Sequence, residues 1–218
     1  MQGIIIDGVV ASGKSAILRF LDKKITEREP SLSRIFLSEH YTQRMLEHLR
    51  DEGKLSGNHI IRHIDSIISS LENFHQMLNN SKFKDNPKKA DLFVILERFI
   101  LTHLSSNELS KNYYDLDAAK KHFAKIASFN ISQVALIIPE DLMEDRIMST
   151  INYRNDKWKE FLFSLGDKDD IANYYKNWQR RFIENIEQCK SIINTIIIEV
   201  KDNDFEGYSE VIMDKICK

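Results

Sequence analysis

The run Ile4-Ile5-Ile6-Asp7-Gly8-Val9-Val10-Ala11-Ser12-Gly13-Lys14-Ser15 constrains this chain more than any other stretch. Gly8–Ser15 fits GxxxxGK[ST] throughout, the pattern of a loop that wraps phosphate in backbone N–H groups. Three β-branched isoleucines precede it, as in a strand buried on both faces. Ala16, Ile17, Leu18 and Phe20–Leu21 follow at helical spacing. Strand, glycine-bearing turn and helix start together make an anion nest at the positive end of a helix. The residues assigned to a nucleotide's phosphates are Gly8, Val9, Val10, Ala11, Ser12, Gly13, Lys14, Ser15 and Ala16. Lys14 would reach the β- and γ-phosphates, and the Ser15 hydroxyl would ligate Mg2+. A bare glycine turn is the structural alternative; the flanking strand and helix argue against it.

The 218 residues suffice for one domain, residues 1–218, with a substantial core. The net charge of -2 is mixed in sign with no basic stripe, which argues against nucleic acid as a main partner and leaves a nucleotide open. Cys189 and Cys217 lack metal-ligand spacing and fit a reducing compartment. No apolar run approaches the roughly 18 residues that span a bilayer, and Met1-Gln2-Gly3-Ile4 has no basic segment or cleavage signal. These features predict a soluble cytoplasmic protein with no membrane partner. His59 and His63 stand four apart on a predicted helix, a spacing open to a metal, but no third ligand accompanies them. A solvated helix face accounts for both.

Periodicity predicts a helix over Gly13–Glu27, a strand over Arg34–Ser38 ending in Glu39–Thr42, and a helix over Gln43–Asp51. The apolar run Ile60–Leu78 keeps a helical period from about Asn58, and Asn79–Lys89 is a loop. Strand three spans Asp91–Leu96; its apolar residues ending at Glu97 resemble a Walker B strand. Helices over Ile100–Leu104 and Leu116–Phe129 lead to a strand over Gln133–Ile138. Helices over Asp141–Thr150, Trp158–Leu165 and Asp169–Asn194 precede a strand over Thr195–Val200 and a last helix over Phe205–Cys217. Five strands alternating with helices predict an α/β fold, a five-stranded parallel sheet flanked by helices on both faces. Ligands of such sheets sit beyond the carboxyl ends of the strands. Asp7-Gly8, Glu39 and Glu97-Arg98 all fall there, so three separate motifs converge on one cleft.

That set resembles the nucleoside and nucleoside-monophosphate kinases of the P-loop superfamily, especially deoxynucleoside and thymidylate kinases. The loop Gly8–Ser15 is similar to their phosphate loop. Glu39 ends strand two where deoxynucleoside kinases carry a Glu-Pro pair, whose glutamate accepts the proton of the substrate hydroxyl; here His40 replaces the proline. Glu97-Arg98-Phe99 is similar to their Glu-Arg-Ser motif, with Phe99 for the serine, and to the Asp-Arg-aromatic motif of thymidylate kinases. Ile171–Trp178 is similar to the tyrosine-bearing helix after the lid. The resemblance implies ATP as donor, Mg2+ held with help from Glu97, and Arg98 on the acceptor's phosphate or hydroxyl end. It also implies a helical lid over about 140–158 and an acceptor region over about 40–80. Tyr41, Arg44 and Gln76 are candidate contacts there, Gln76 where deoxynucleoside kinases read the base. The family's lid brings several arginines over the phosphates, whereas Glu140–Trp158 contains Arg146 and Arg154. Relatives are often homodimers.

The resulting expectation is an ATP-dependent phosphotransferase acting on a nucleoside or nucleoside monophosphate. Its catalytic candidates are Lys14, Glu39, Arg98, Arg146 and Arg154. Phosphoryl transfer asks for positioning and charge neutralisation. Glu39 would act as a base on a hydroxyl acceptor but only orient a monophosphate, which is already ionised. A non-nucleoside hydroxyl, such as that of an antibiotic, is an alternative acceptor on the same scaffold. A nucleotide-binding regulatory module with little turnover is the alternative of another class; the NKxD and DxxG segments of GTPase switches are missing from suitable slots. Structural explanations stand beside these roles. Glu39 could be an exposed strand-end carboxylate, Glu97-Arg98 a salt-bridged pair, and Arg146 and Arg154 surface cations pairing with Glu144 or Asp156. Tyr174, Tyr175 and Trp178 read as core and cleft wall.

Overall fold

The computed structural model describes residues 1–82, 84–86, 91–106 and 114–216. Five strands, β1 (Gln2–Gly8), β2 (Ser33–Leu37), β3 (Leu92–Glu97), β4 (Ile131–Ile137) and β5 (Thr195–Glu199), form one sheet in the order β2-β3-β1-β4-β5. Every pairing is parallel. The helices are α1 (Lys14–Arg28), α2 (Glu39–Thr42), α3 (Glu47–Asp51), α4 (Gly57–Asn80), α5 (Ile100–Ser105), α6 (Leu116–Ala127), α7 (Met143–Ser149), α8 (Asp156–Ser164), α9 (Lys168–Cys189) and α10 (Phe205–Ile216).

The central strands are apolar at nearly every position because both faces are covered. Ile5, Val94, Leu96 and Ala135 face a core shared with α4, α5, α6 and α9. Ile4, Ile6, Phe93, Ile95, Val134 and Leu136 face a second core beneath α1 and α10. Each fully buried isoleucine contributes about 1.5–3 kcal/mol, so a one-residue register slip would exchange both faces at once. β1 lies between β3 and β4, where the chain switches from one side of the sheet to the other. The carboxyl end of such a strand opens into a crevice, and the Gly8–Ser15 loop leaves from there.

Several boundaries differ from the sequence expectation. Glu39–Thr42 closes a helical turn, α2, instead of ending a strand, and Gln43–Asp51 divides into a 3-10 turn at Arg44–Leu46 and α3. β4 starts at Ile131 because Asn130, at φ 58°, turns the chain and its carbonyl accepts from Gly3 N–H at 3.2 Å. α9 stops at Cys189, where Ile192 N–H bonds the Cys189 carbonyl at 2.9 Å. The two spaced histidines are half-buried and hydrogen-bonded. Ser56 N–H donates to His59 Nδ1 at 3.2 Å, capping α4, and His63 Nε2 meets the Tyr41 carbonyl at 2.8 Å. α4 takes in Asn79 and Asn80; the loop expected beyond it and Cys217 reach outside the described residues. Among the described residues no helix is long and apolar enough to cross a membrane.

Candidate active site

The Gly8–Ser15 loop is shaped by two glycines and one lysine. A Cβ on Gly8 would lie 2.5 Å from the Leu136 carbonyl oxygen, so the loop passes β4 at a distance only glycine allows. Gly13 caps α1 at φ 76°, and a Cβ there would lie 2.3 Å from the Phe205 ring. Ala11 also sits at positive φ, 61°. Lys14 folds back over the loop, its Nζ donating to the Gly8 and Val9 carbonyls at 2.9 Å each and to Ser12 Oγ at 3.4 Å. Burial, with Arg98 nearby, pushes the Lys14 pKa well below the usual lysine value, against the pull of Glu39, Glu97 and Asp7. Ser15 is exposed at the start of α1 and Ala16 half-buried, while Val9 and Ser12 are buried beneath the loop.

Asp7 ties the loop to the neighbouring strand ends. Its Oδ1 accepts from Phe99 N–H at 3.0 Å and from the Thr102 hydroxyl, and its Oδ2 from Gln133 Nε2 at 3.2 Å. Burial raises its pKa despite these donors. The Phe99 tether holds the turn that carries Arg98, itself at φ 53° with its N–H on the Ile6 carbonyl at 3.0 Å. Arg98 Nε then donates to Glu39 Oε2 at 2.7 Å, and Arg44 Nε to Glu39 Oε1 at 2.9 Å. Burial pushes the Glu39 carboxyl up, but Arg98, Lys14 and Arg44 together hold it below the ordinary glutamate value.

These groups open onto a cavity of about 560 Å³. Val10 of the Gly8–Ser15 loop, Glu39, Arg44, Arg98 and Arg154 line it, facing an aromatic wall of Trp158, Phe161, Tyr174, Tyr175 and Trp178. Arg154 stacks over Trp158, 4.9 Å from guanidinium carbon to ring centre. Its pKa is lowered by burial and by Arg98. Lys157, in the first turn of α8, reaches Asp51 at the end of α3 with an ion pair of 2.9 Å, bridging the cavity rim.

Other sequence candidates lie elsewhere. Arg146 is drawn to the loop after β5, donating to Asn203 Oδ1 at 2.8 Å and to the Asp202 carbonyl. It lines a separate hollow of about 350 Å³ with Asp145, Lys201 and Asn203. Gln76 is exposed in the distal turns of α4 and lines neither hollow. Sixteen residues separate it from Ile60, the α4 residue that lines the larger cavity; at 1.5 Å per residue that is about 24 Å of helix. Tyr41 is 46% exposed beside His63 and is not part of the cavity lining. The wall drawn from the expected acceptor region comes from residues 43–60, because the rest of α4 is spent on the core.

Lining residues that no sequence motif pointed to include Thr102, His103, Arg50 and Lys157. Thr102 and His103 line the cavity from α5. Their spacing from Arg98, one helical turn onward, was the available signal. Arg50 and Lys157 have no local signal, since chain segments far apart in sequence bring them to the rim. Among the described residues no group of three or more acidic, histidine or cysteine side chains is placed to hold a metal, and Glu97 with Ser15 would supply only two protein ligands to Mg2+. Glu97 is a buried carboxylate whose one hydrogen-bond donor among the described residues is Glu39 N–H at 3.3 Å. Carboxylate and hydroxyl oxygens are the hard ligands this ion takes.

No family model matches the chain, and no curated protein matches it in sequence. Solved structures are similar to it in fold. One is the YorR protein from Bacillus subtilis, in complex with phosphorylated GDP, at a TM-score of 0.59 and 14% identity over 99% of this chain and 95% of that one. Another is shikimate kinase from Bacteroides thetaiotaomicron, at a TM-score of 0.54 and 11% identity over 100% of this chain and 99% of that one. Among the described residues, five parallel strands, helices on both faces and the Gly8–Ser15 loop after the central strand make this fold similar to those of the two structures.

Proposed function

We propose that the chain is an ATP-dependent phosphotransferase that moves the γ-phosphate to a small acceptor, a nucleoside or nucleoside monophosphate, held in the 560 Å³ cavity. The observation that carries this reading is the grouping of Arg98 and Glu39, 2.7 Å apart, within electrostatic reach of Lys14. Lys14 turns from the loop carbonyls to the β- and γ-phosphates, for which those carbonyls are stand-ins as acceptors. The first N–H groups of α1 point out of its N-terminus at the same phosphates. Arg98 and Arg154 neutralise charge on the transferring group and the acceptor. Ser15 and Glu97 would hold Mg2+, which would supply further neutralisation of phosphate charge.

Purified protein is expected to release ADP from ATP and Mg2+ with at least one of a panel of nucleosides and nucleoside monophosphates. Lys14→Ala should cut that turnover by about 10²-fold or more. ATP binding without turnover on any acceptor, altered by Lys14→Ala in affinity alone, would instead mark a binding module. A non-nucleoside hydroxyl acceptor is the second reading, favoured by the shikimate kinase likeness. In that case the ionised Glu39 takes the hydroxyl proton. A cytoplasmic location and a homodimer belong to the same proposal and rest on sequence alone.

A further inference from the structure

A single helical turn, α2, presents Glu39 to the larger cavity, and two histidines from other helices hold its far end. One turn has little stability of its own, because nucleation fixes several residues for one bond. The Thr42 and Gln43 N–H groups reach the Ser38 and Glu39 carbonyls at 3.0 Å each. Leu46 N–H, which a continuing α-helix would aim at the Thr42 carbonyl, turns to the Gln43 carbonyl at 3.3 Å. Imidazoles serve the exposed end instead. His63 Nε2, from α4, meets the Tyr41 carbonyl at 2.8 Å, and His103 Nε2, from α5, meets the Thr42 carbonyl at 3.1 Å. A carbonyl can only accept, so both rings carry a proton on Nε2. His63 stands one turn from Ile60 and Ile67 on the apolar stripe of α4, and His103 is 4% exposed in a helix whose Ile100, Leu101 and Leu104 are buried. An aliphatic side chain would suit either position and would take these donors away from α2. The other end of the turn is fastened too. Glu39 N–H donates to Glu97 Oε2 at 3.3 Å, and the Thr42 hydroxyl bonds the Glu97 carbonyl. His103 N–H bonds the Phe99 carbonyl at 3.2 Å, so the segment that bears Arg98 grips the segment that bears Glu39.

We propose that His63 and His103 are positioning residues of the cavity: acting through α2, they hold the Glu39 carboxylate where Arg98 and Arg44 meet it. Glu39 in turn fixes both guanidiniums, each of which lines the cavity. One hydrogen bond of this kind shifts a local equilibrium by about two- to tenfold. Losing one frees α2 to fray and Glu39 to withdraw. Lys14 keeps its own bonds to the Gly8 and Val9 carbonyls, so the nucleotide end is spared. This inference rests on the phosphotransferase reading for its kinetic consequence alone.

The test begins at His63, which is half-buried, so that replacing it spares the core. His63→Phe keeps a ring without the donor, and His63→Gln keeps a donor without the ring. Carbon-13 NMR of the intact chain follows the Glu39 carboxyl, which burial pushes up but Arg98, Lys14 and Arg44 hold below the ordinary glutamate value. In His63→Phe this titration should move up towards that value, and in His63→Gln it should stay in place. His103→Phe and His103→Gln should divide in the same way. An unmoved Glu39 titration in His63→Phe overturns the role of His63 in the brace. Equal shifts in the Phe and Gln variants do so too, since the ring would then pack without holding. With an acceptor that turns over, His63→Phe should raise the acceptor KM about threefold or more and change the ATP KM less than about twofold. That effect should vanish when Glu39→Gln is already present. Additive losses overturn the route through Glu39. Absence of turnover with every acceptor removes the phosphotransferase reading, while the Glu39 titration still decides whether the histidines position it.

Discussion

Arg98 and Glu39 meet at 2.7 Å although 59 residues separate them, joining the turn after β3 to the helical turn after β2. Arg98 makes this contact from a left-handed backbone, φ 53°. A long side chain there costs roughly 1–2 kcal/mol, so the role proposed for Arg98 and its backbone preference conflict at this position. Arg98→Gly and Arg98→Ala both remove the guanidinium, but only glycine relieves the strain. The glycine variant should be more stable than the alanine variant by about 1 kcal/mol, or about 2–4 °C in Tm. Both should lack turnover. Equal melting temperatures by calorimetry would mean that Asp7 and Ile6 carry the turn without strain.

Arg154 and Arg146 make different predictions. Arg154 faces the cavity, whereas Arg146 is bonded to Asn203 and the Asp202 carbonyl. Arg154→Ala should lower kcat by about 10²-fold or more, since an arginine on a transferring phosphoryl group carries large rate factors. Arg146→Ala should change the KM for ATP more than kcat. Steady-state kinetics with both substrates varied separates the two, and a larger kcat loss in Arg146→Ala would reverse the assignment.

Gly13→Ala combines a left-handed φ of 76° with a Cβ placed 2.3 Å from the Phe205 ring. It should destabilise the chain by about 1–3 kcal/mol and weaken nucleotide binding. Adding Phe205→Ala should return the steric part of the nucleotide affinity but not the backbone part. Full recovery in the double variant, read by titration with an ATP analogue, would show that φ at position 13 is unstrained.

His103 supplies the pH prediction. It is buried beside the cavity, its Nε2 against the Thr42 carbonyl at 3.1 Å. Burial lowers its pKa from 6.5 to about 4, with the Thr42 carbonyl working the other way. Between those values the unfolded chain binds a proton that the folded chain refuses. Stability therefore falls as pH drops from 6.5 to about 4, by up to about 3 kcal/mol, and the loss is complete below that window. His103→Gln should flatten this part of the profile. Urea unfolding at several pH values measures it, and parallel profiles for the two proteins would refute the assignment.

Much of the fold is legible in the sequence because the relevant forces are local or periodic. Ile4–Ile6 declare a doubly covered strand, and Gly8 and Gly13 declare a tight turn at its carboxyl end, since these conformations exclude most other residues. The strand-end acids Asp7, Glu39 and Glu97 could be sent to one edge of the sheet by parallel topology alone. The tertiary structure decided which groups meet there. Arg44 joined Glu39 because Glu39–Thr42 coils into α2 and carries the 3-10 turn back over the strand end. Arg154 entered the cavity and Arg146 left it, although both lie in one segment, because α7 packs towards the loop after β5. Gln76 lost its expected place because α4 carries it sixteen residues beyond Ile60, which lines the cavity. Side-chain chemistry is written residue by residue, but the distance between charges depends on how whole elements pack, and no short stretch of sequence contains that distance.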